Sequence, residues 1–168
     1  EAMHTGHSVY ATVHADSILA TIQRLTNPPI EVPANLLSAV HLCVVMFRDR
    51  RQNFRRIYQV GEFLPEEGKN GVKPNITHRW NPSTDKVIAH QKPVRVFEEL
   101  SRHTGLSQHE IDQDIEHKTF ILNWMVKHDL RDIASVGKIM RAYYLDSESL
   151  LAAVKKAKNP AELLKEEP

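Results

Sequence analysis

From residue 8 the apolar positions first run together, then recur three and four apart. They run together again and finally settle into a series of helical stripes. Ser8 to Val13 reads as a short, mostly apolar strand. Asp16 or Ser17 is placed to cap a helix in which Ile18, Ile22 and Leu25 recur at i, i+4 and i+7. Thr26-Asn27-Pro28-Pro29 ends it, because proline cannot continue a helix. Pro33 is expected to start a short helix through Leu36, Leu37 and Val40. Leu42 to Phe47 is an unbroken apolar run, the pattern of an interior strand buried on both faces. Arg55 to Phe63 reads as its hairpin partner across the polar turn of residues 48–53. Residues 1–63 therefore read strand, helix, helix, strand, strand: the trailing part of an α/β sheet.

Pro65 to Pro74 is rich in Gly, Lys and Glu and is expected to be a loop. A second hairpin follows, Ile76 to Trp80 and Lys86 to His90 around an Asn-Pro-Ser-Thr-Asp turn, so residues 64–92 form a loop and hairpin segment. Pro93 opens an all-helical region, residues 93–168. Val94, Phe97 and Leu100 begin it, and Gly105 is expected to close that helix. Ser107-Gln108-His109-Glu110 has the form of a capping box. Behind it Ile111, Ile115, Leu122 and Val126 share a face, and further stripes run through Ile133, Val136, Met140 and Tyr143, then Leu150, Leu151 and Val154. Asn159-Pro160 starts a last short helix.

Composition narrows the class. With 168 residues, 41% hydrophobic and 26% charged, the chain suits one ordinary domain or a small domain with an appendage. No apolar run approaches the roughly 20 residues of a membrane helix, and no signal-peptide pattern is present. One cysteine, Cys43, excludes an internal disulfide framework and fits a reducing cytosol; its apolar neighbours make it a buried, inert thiol. Net charge is +1, with residues 1–97 basic and residues 98–168 acidic, which suggests two structural units. Neither half has the strongly basic footprint of a dedicated nucleic-acid binder.

Three groups of residues carry chemistry. His4, His7 and His14 lie close together, but their spacing matches no zinc pattern and no cysteine is near, so no metal site is expected. His14 follows an apolar strand, has Thr12 beside it, and precedes a helix start, the setting in which phosphates bind. Arg48, Arg50, Arg51, Arg55 and Arg56 form a basic cluster that reads as a solvated hairpin turn, with phosphate contacts from Arg48, Arg50 and Arg51 across a subunit interface as the functional alternative. Trp124 and Met125 read as core rather than as a docking surface.

Thr5-Gly6-His7, five residues, then Thr12-Val13-His14-Ala15-Asp16-Ser17 resembles the histidine box of the secretion ATPase superfamily. These are the hexameric motors of type II secretion, type IV pili, archaeal flagella and conjugative type IV secretion. Glu1-Ala2-Met3 resembles the helix end that follows the family's acidic motif, and Ile22 to Ile30, the short helix at 32–40 and the arginine-rich turn resemble its archaeal branch. Trp124-Met125-Val126 and Val136-Gly137-Lys138-Ile139-Met140 are similar to its archaeal members as well.

The resemblance implies that residues 1–63 are the C-terminal part of a RecA-like P-loop ATPase core, followed by a mainly helical domain. It implies His7 and His14 as a nucleotide-sensing pair, supported by Thr5, Gly6, Thr12 and Asp16. ATP and Mg2+ would be the cofactors of the intact protein. Its partners would be the chain's own N-terminal ATPase region, a homo-hexamer and a membrane platform protein, at the cytoplasmic face of the membrane and without nucleic acid. No Gly-x-x-x-x-Gly-Lys-Ser/Thr loop occurs in these residues, so the chain alone is expected to bind no cofactor and to hydrolyse no ATP. A standalone interaction module, or a nucleic-acid binder using Arg48 to Arg56, are the rival readings.

Overall fold

A computed structural model describes residues 7–66, 68, 71–156 and 163. The chain divides into two compact units, Glu1–Thr104 and Gly105–Pro168. The first holds helices α1 (Ile18–Thr26) and α2 (Ala34–Leu37), strands β1 (Cys43–Asp49), β2 (Phe54–Pro65), β3 (Val72–Asn81) and β4 (Lys86–Ala89), and helix α3 (Arg95–Thr104). The second holds α4 (Gln108–Lys127), α5 (Ile133–Leu145) and α6 (Ser147–Lys155).

Helices and a sheet thus share the chain, as the pattern implies, but the four strands form one antiparallel sheet in the order β1-β2-β3-β4. The connections explain why. Consecutive strands separated by a few residues can only turn back on themselves, whereas a parallel pair needs a crossover of a dozen or more. Two expectations are corrected here. Ser8 to Val13 belongs to no strand; these residues are exposed and pair with nothing among the described residues, so β-propensity there finds no ladder to join. The run from Leu42 to Phe47 is not an interior strand either. β1 lies at the edge of the sheet, with Val45 buried while Val44 and Met46 are 46% and 62% exposed.

The expected loop at 65–74 also shrinks. β2 runs on to Pro65 and β3 begins at Val72, because Phe63 and Val72 are both needed in the core. That core joins Ile18 and Ile22 of α1 to Leu37, Val45, Phe63 and Val72. α1 approaches β2 closely. Gln59 is buried and its Oε1 accepts the Ile18 N–H at 3.0 Å, while Ile18 lies over Gly61. On the other side of β2, Glu62 is fully buried. Its carboxylate accepts the N–H groups of Val94 and Val96 and the Asn75 amide, tying the start of α3 to the sheet. A carboxylate at a helix N-terminus also complements the helix dipole.

In the second unit the capping box forms as expected: Ser107 and Glu110 exchange side-chain and backbone hydrogen bonds. Asp132 and Asp146 cap α5 and α6 through the N–H groups of Ser135 and Ser149. Gly105, at φ 74°, ends α3 in the left-handed region that favours glycine. The core contains Ile121, Trp124, Met125, Ile139, Tyr143, Leu150, Leu151 and Val154. The stripe expected on α4 is corrected in part. Ile111 is buried, but Ile115, Leu122 and Val126 are exposed, because the buried side is centred on Ile111, Ile121 and Met125. Ile133 is likewise exposed. The helix expected at Asn159 lies outside the described residues.

A Cβ at residue 61 would overlap the Asn75 carbonyl oxygen and come within 2.7 Å of Ile18 Cδ1. Gly61→Ala should therefore destabilise the chain by about 1–3 kcal/mol, the usual cost of overpacking, as measured by urea unfolding. A loss below a few tenths would mean that α1 is loosely seated.

Candidate functional site

Residues 7–15 run without regular structure into α1, and Ser17 caps that helix by accepting the Ala20 N–H at 3.0 Å. His7, Thr12, His14 and Asp16 are exposed; Thr5 and Gly6 lie outside the described residues. The start of α1 is already well used. The Ile18 N–H is held by Gln59 and the Ala20 N–H by Ser17. An anion here would be recognised by the His14 imidazole more than by the helix's own N–H groups. Among the described residues no group of three or more His, Cys, Asp or Glu side chains is arranged to hold a metal. Cys43 is half-buried rather than enclosed, and desolvation pushes its thiol pKa up.

The arginine cluster is built by the β1–β2 hairpin. Asp49 accepts the N–H groups of Arg51 and Gln52 at 2.7 and 2.8 Å and so shapes the turn. Arg48, Arg50, Arg51 and Arg55 are exposed, and the register sets Arg48 opposite Arg55. Arg56 is different: its Nε and Nη2 donate to the two carboxylate oxygens of Asp85, each at 2.6 Å. Its guanidinium carbon lies 4.9 Å from the centre of the Phe54 ring. Trp80 Nε1 also donates to Asp85, at 2.9 Å.

Around this ion pair the sheet gathers rings that are far apart in sequence. Phe47 stacks on Trp80 at 5.3 Å and lies 6.1 Å from Phe54 and 6.4 Å from Tyr58, and Arg79 lies 5.7 Å from the Tyr58 ring. Of these rings only Phe54 lies among the arginines in sequence. The missing signal was the strand register, which aligns Asp49 with Phe54 and Phe47 with Arg56.

The second unit has its own polar junction. Asp114 accepts the Tyr143 hydroxyl and the Lys118 ammonium, both at 2.6 Å, joining α4 to α5. Burial and this hydrogen bond push the Tyr143 pKa up. For Asp114 burial acts upward, but the bonds from Lys118 and Tyr143 outweigh it and leave the pKa lowered. Trp124 and Met125 are buried in this core. In the first unit an open hollow beside the end of α1 is lined by Gln23, Arg24, Asn27, Pro28, Pro29 and Ile30. No helix among the described residues is long and apolar enough to cross a membrane.

No family model matches the chain. It is similar to three uncharacterized proteins of Methanocaldococcus jannaschii. One is 27% identical over 148 residues, covering 86% of this chain and 20% of that protein. A second is 28% identical over 153 residues, covering 86% and 27%. A third is 26% identical over 132 residues, covering 76% and 48%. The chain thus spans about a fifth to a half of the length of the curated relatives it matches.

The Arg56 guanidinium, followed by the Trp80 N–H, lowers the Asp85 carboxyl from 3.8 to about 2. A carboxyl lowered on folding stabilises the fold above its unfolded pKa and loses that contribution as pH falls through the folded one. Stability should therefore fall between about pH 4 and pH 2 in step with a change in Trp80 fluorescence. Asp85→Asn should flatten the slope in that window; an unchanged slope would show that the pair does not form in solution.

Proposed function

We propose that the chain is the C-terminal portion of an archaeal-type secretion or pilus-assembly ATPase: the end of its RecA-like core followed by a helical domain. The stretch from Thr5 to Ser17 carries the reading. It sets Thr5-Gly6-His7 and Thr12-Val13-His14 ahead of a helix start, and His14 stands exposed three residues before the Ser17 cap. Two further observations support it. The outer edge of β1 is unpaired among the described residues, so further strands of a larger sheet have a place to join. The relatives come from an archaeon and are longer than this chain.

In such a protein the phosphate loop and the acidic magnesium site would come from the preceding part of the chain. ATP bound there would supply the phosphoanhydride whose cleavage drives subunit motion in a hexamer working against a membrane platform. His14 would donate an imidazole N–H to a phosphate oxygen, His7 would lie at the same edge, and Asp16 would orient the imidazole. Gln59 holds the start of α1 to the sheet, so a displacement of His14 would be passed to the core through Ile18.

Expression of the complete coding region that contains this sequence tests the proposal. ATP turnover is expected, with His14→Ala lowering kcat on the order of 10²-fold, the cost of a lost preorganised donor. The 168-residue chain by itself should turn over no ATP. A complete product without a phosphate loop, or one whose kcat ignores His14→Ala, overturns the reading.

A further inference from the structure

The side of the sheet facing away from Val45 and α1 has an unusual makeup. Val44, Met46 and Arg48 of β1 lie opposite Val60, Ile57 and Arg55 of β2; the two-residue period of β1, with the bulge at Val45/Met46 that leaves Tyr58 unpaired on β2, puts all six on that side. One side of an antiparallel sheet can face water, and it then alternates to polar residues. Here the outward positions are apolar: Val44, Met46 and Ile57 are between 41% and 62% exposed. Further along β2, Glu62 takes the start of α3 on this same side. A helix therefore covers one end of this face and leaves the other open.

The charges beside the open end are unbalanced. Like charges directly opposite each other on paired strands are destabilising. Arg48 and Arg55 are such a pair, and neither has an ion pair among the described residues. Asp49, next to Arg48 in β1, and Asp85, the partner of Arg56, are engaged elsewhere, the first by the turn N–H groups and the second by Arg56 and Trp80. Arg50 and Arg51 in the turn add two more positive charges.

We propose that this face docks an acidic, amphipathic helical segment of a partner protein, lying on Val44, Met46 and Ile57 with its carboxylates on Arg48 and Arg55. The apolar row requires an apolar stripe on the occupant, and the arginine row requires acids along one flank of it. Other occupants fit less well. Single-stranded nucleic acid needs ring faces for base stacking, and Phe47, Phe54 and Trp80 are packed against one another. Duplex phosphates would supply the charge but leave Met46 and Ile57 against a polar backbone. A second copy joined β1 to β1 would leave both arginine pairs without acids. This surface is separate from the histidine stretch, so either reading can fail without the other.

The test uses the 168-residue chain, methyl-labelled for NMR, and a fluorescein-labelled helical peptide of about 14 residues, ~20 Å long, with leucine on one face and glutamate flanking it. The expected result is perturbation of the Val44, Met46 and Ile57 methyls, and affinity roughly tenfold or more above that of the same peptide with lysine for glutamate. The double variant Arg48→Ser/Arg55→Ser should remove that preference. Arg102→Ser, on α3 and paired with Glu99, should leave it intact. Equal affinity for the lysine peptide, perturbation confined to other residues, or no binding at millimolar peptide overturns the proposal. So does Arg48/Arg55-dependent binding of a 12-nucleotide DNA strand or of phosphatidylglycerol vesicles in place of the peptide. Concentration-dependent self-association that shifts the same methyls overturns it as well.

Discussion

Ile18 rests on the bare backbone of Gly61, and its amide donates to the buried side chain of Gln59. Much of the first unit depends on this joint. Ile18 and Gly61 are buried, and a helix can come this near to a strand only where no Cβ intervenes. Because the joint engages the first residue of α1, it fixes the start of the helix rather than its middle. The chain just before that point, His14 to Ser17, therefore enters the helix at a place fixed against the sheet. A ligand contact made by His14 would be referred to the sheet through one well-packed residue.

Glu62 is the counterpart on the opposite side. A buried carboxylate is costly unless its oxygens are hydrogen-bonded, and three donors meet it here: two backbone N–H groups and the Asn75 amide. Removing that carboxylate would leave the donors of α3 without partners. The sheet is consequently held from both sides by different chemistry, an apolar helix on one and a single carboxylate on the other. That asymmetry explains why α3, which has no buried residue, belongs to the sheet unit.

Much of this was legible in the residue pattern. The α1 cap, the two hairpins, the Ser107 capping box and the Gly105 helix end depend on local chemistry, and local chemistry is readable residue by residue. What was not legible depends on partners. An apolar run such as Leu42 to Phe47 looks the same whether one or both faces are covered, and only the strand order shows that β1 is an edge. The α4 stripe was misjudged for the same reason, since period alone cannot say which part of a broad apolar face is packed. The arginine cluster was visible, but its ring neighbours were not. Bulges at Val45/Met46 and Val60/Gly61 shift the register, and with it the residues that become neighbours across the sheet.

Sheet direction bears most on the histidine stretch. Ligand sites of α/β proteins form beyond the carboxyl ends of parallel strands, where successive connections diverge. An antiparallel sheet of four strands has no such place, so His14 can act on a nucleotide only if strands of another direction stand beside it. Both conditions for adding them are present in this unit. β1 presents an unpaired edge, and residues 8–13 are rich in strand-forming side chains yet pair with nothing among the described residues. An isolated edge of this kind is a liability that proteins usually blunt with charge, proline or a covering element. β1 carries valines and a methionine through its middle instead. A strand built that way is suited to being covered, and the sensing role proposed for His14 requires that the covering strand bring the phosphate with it.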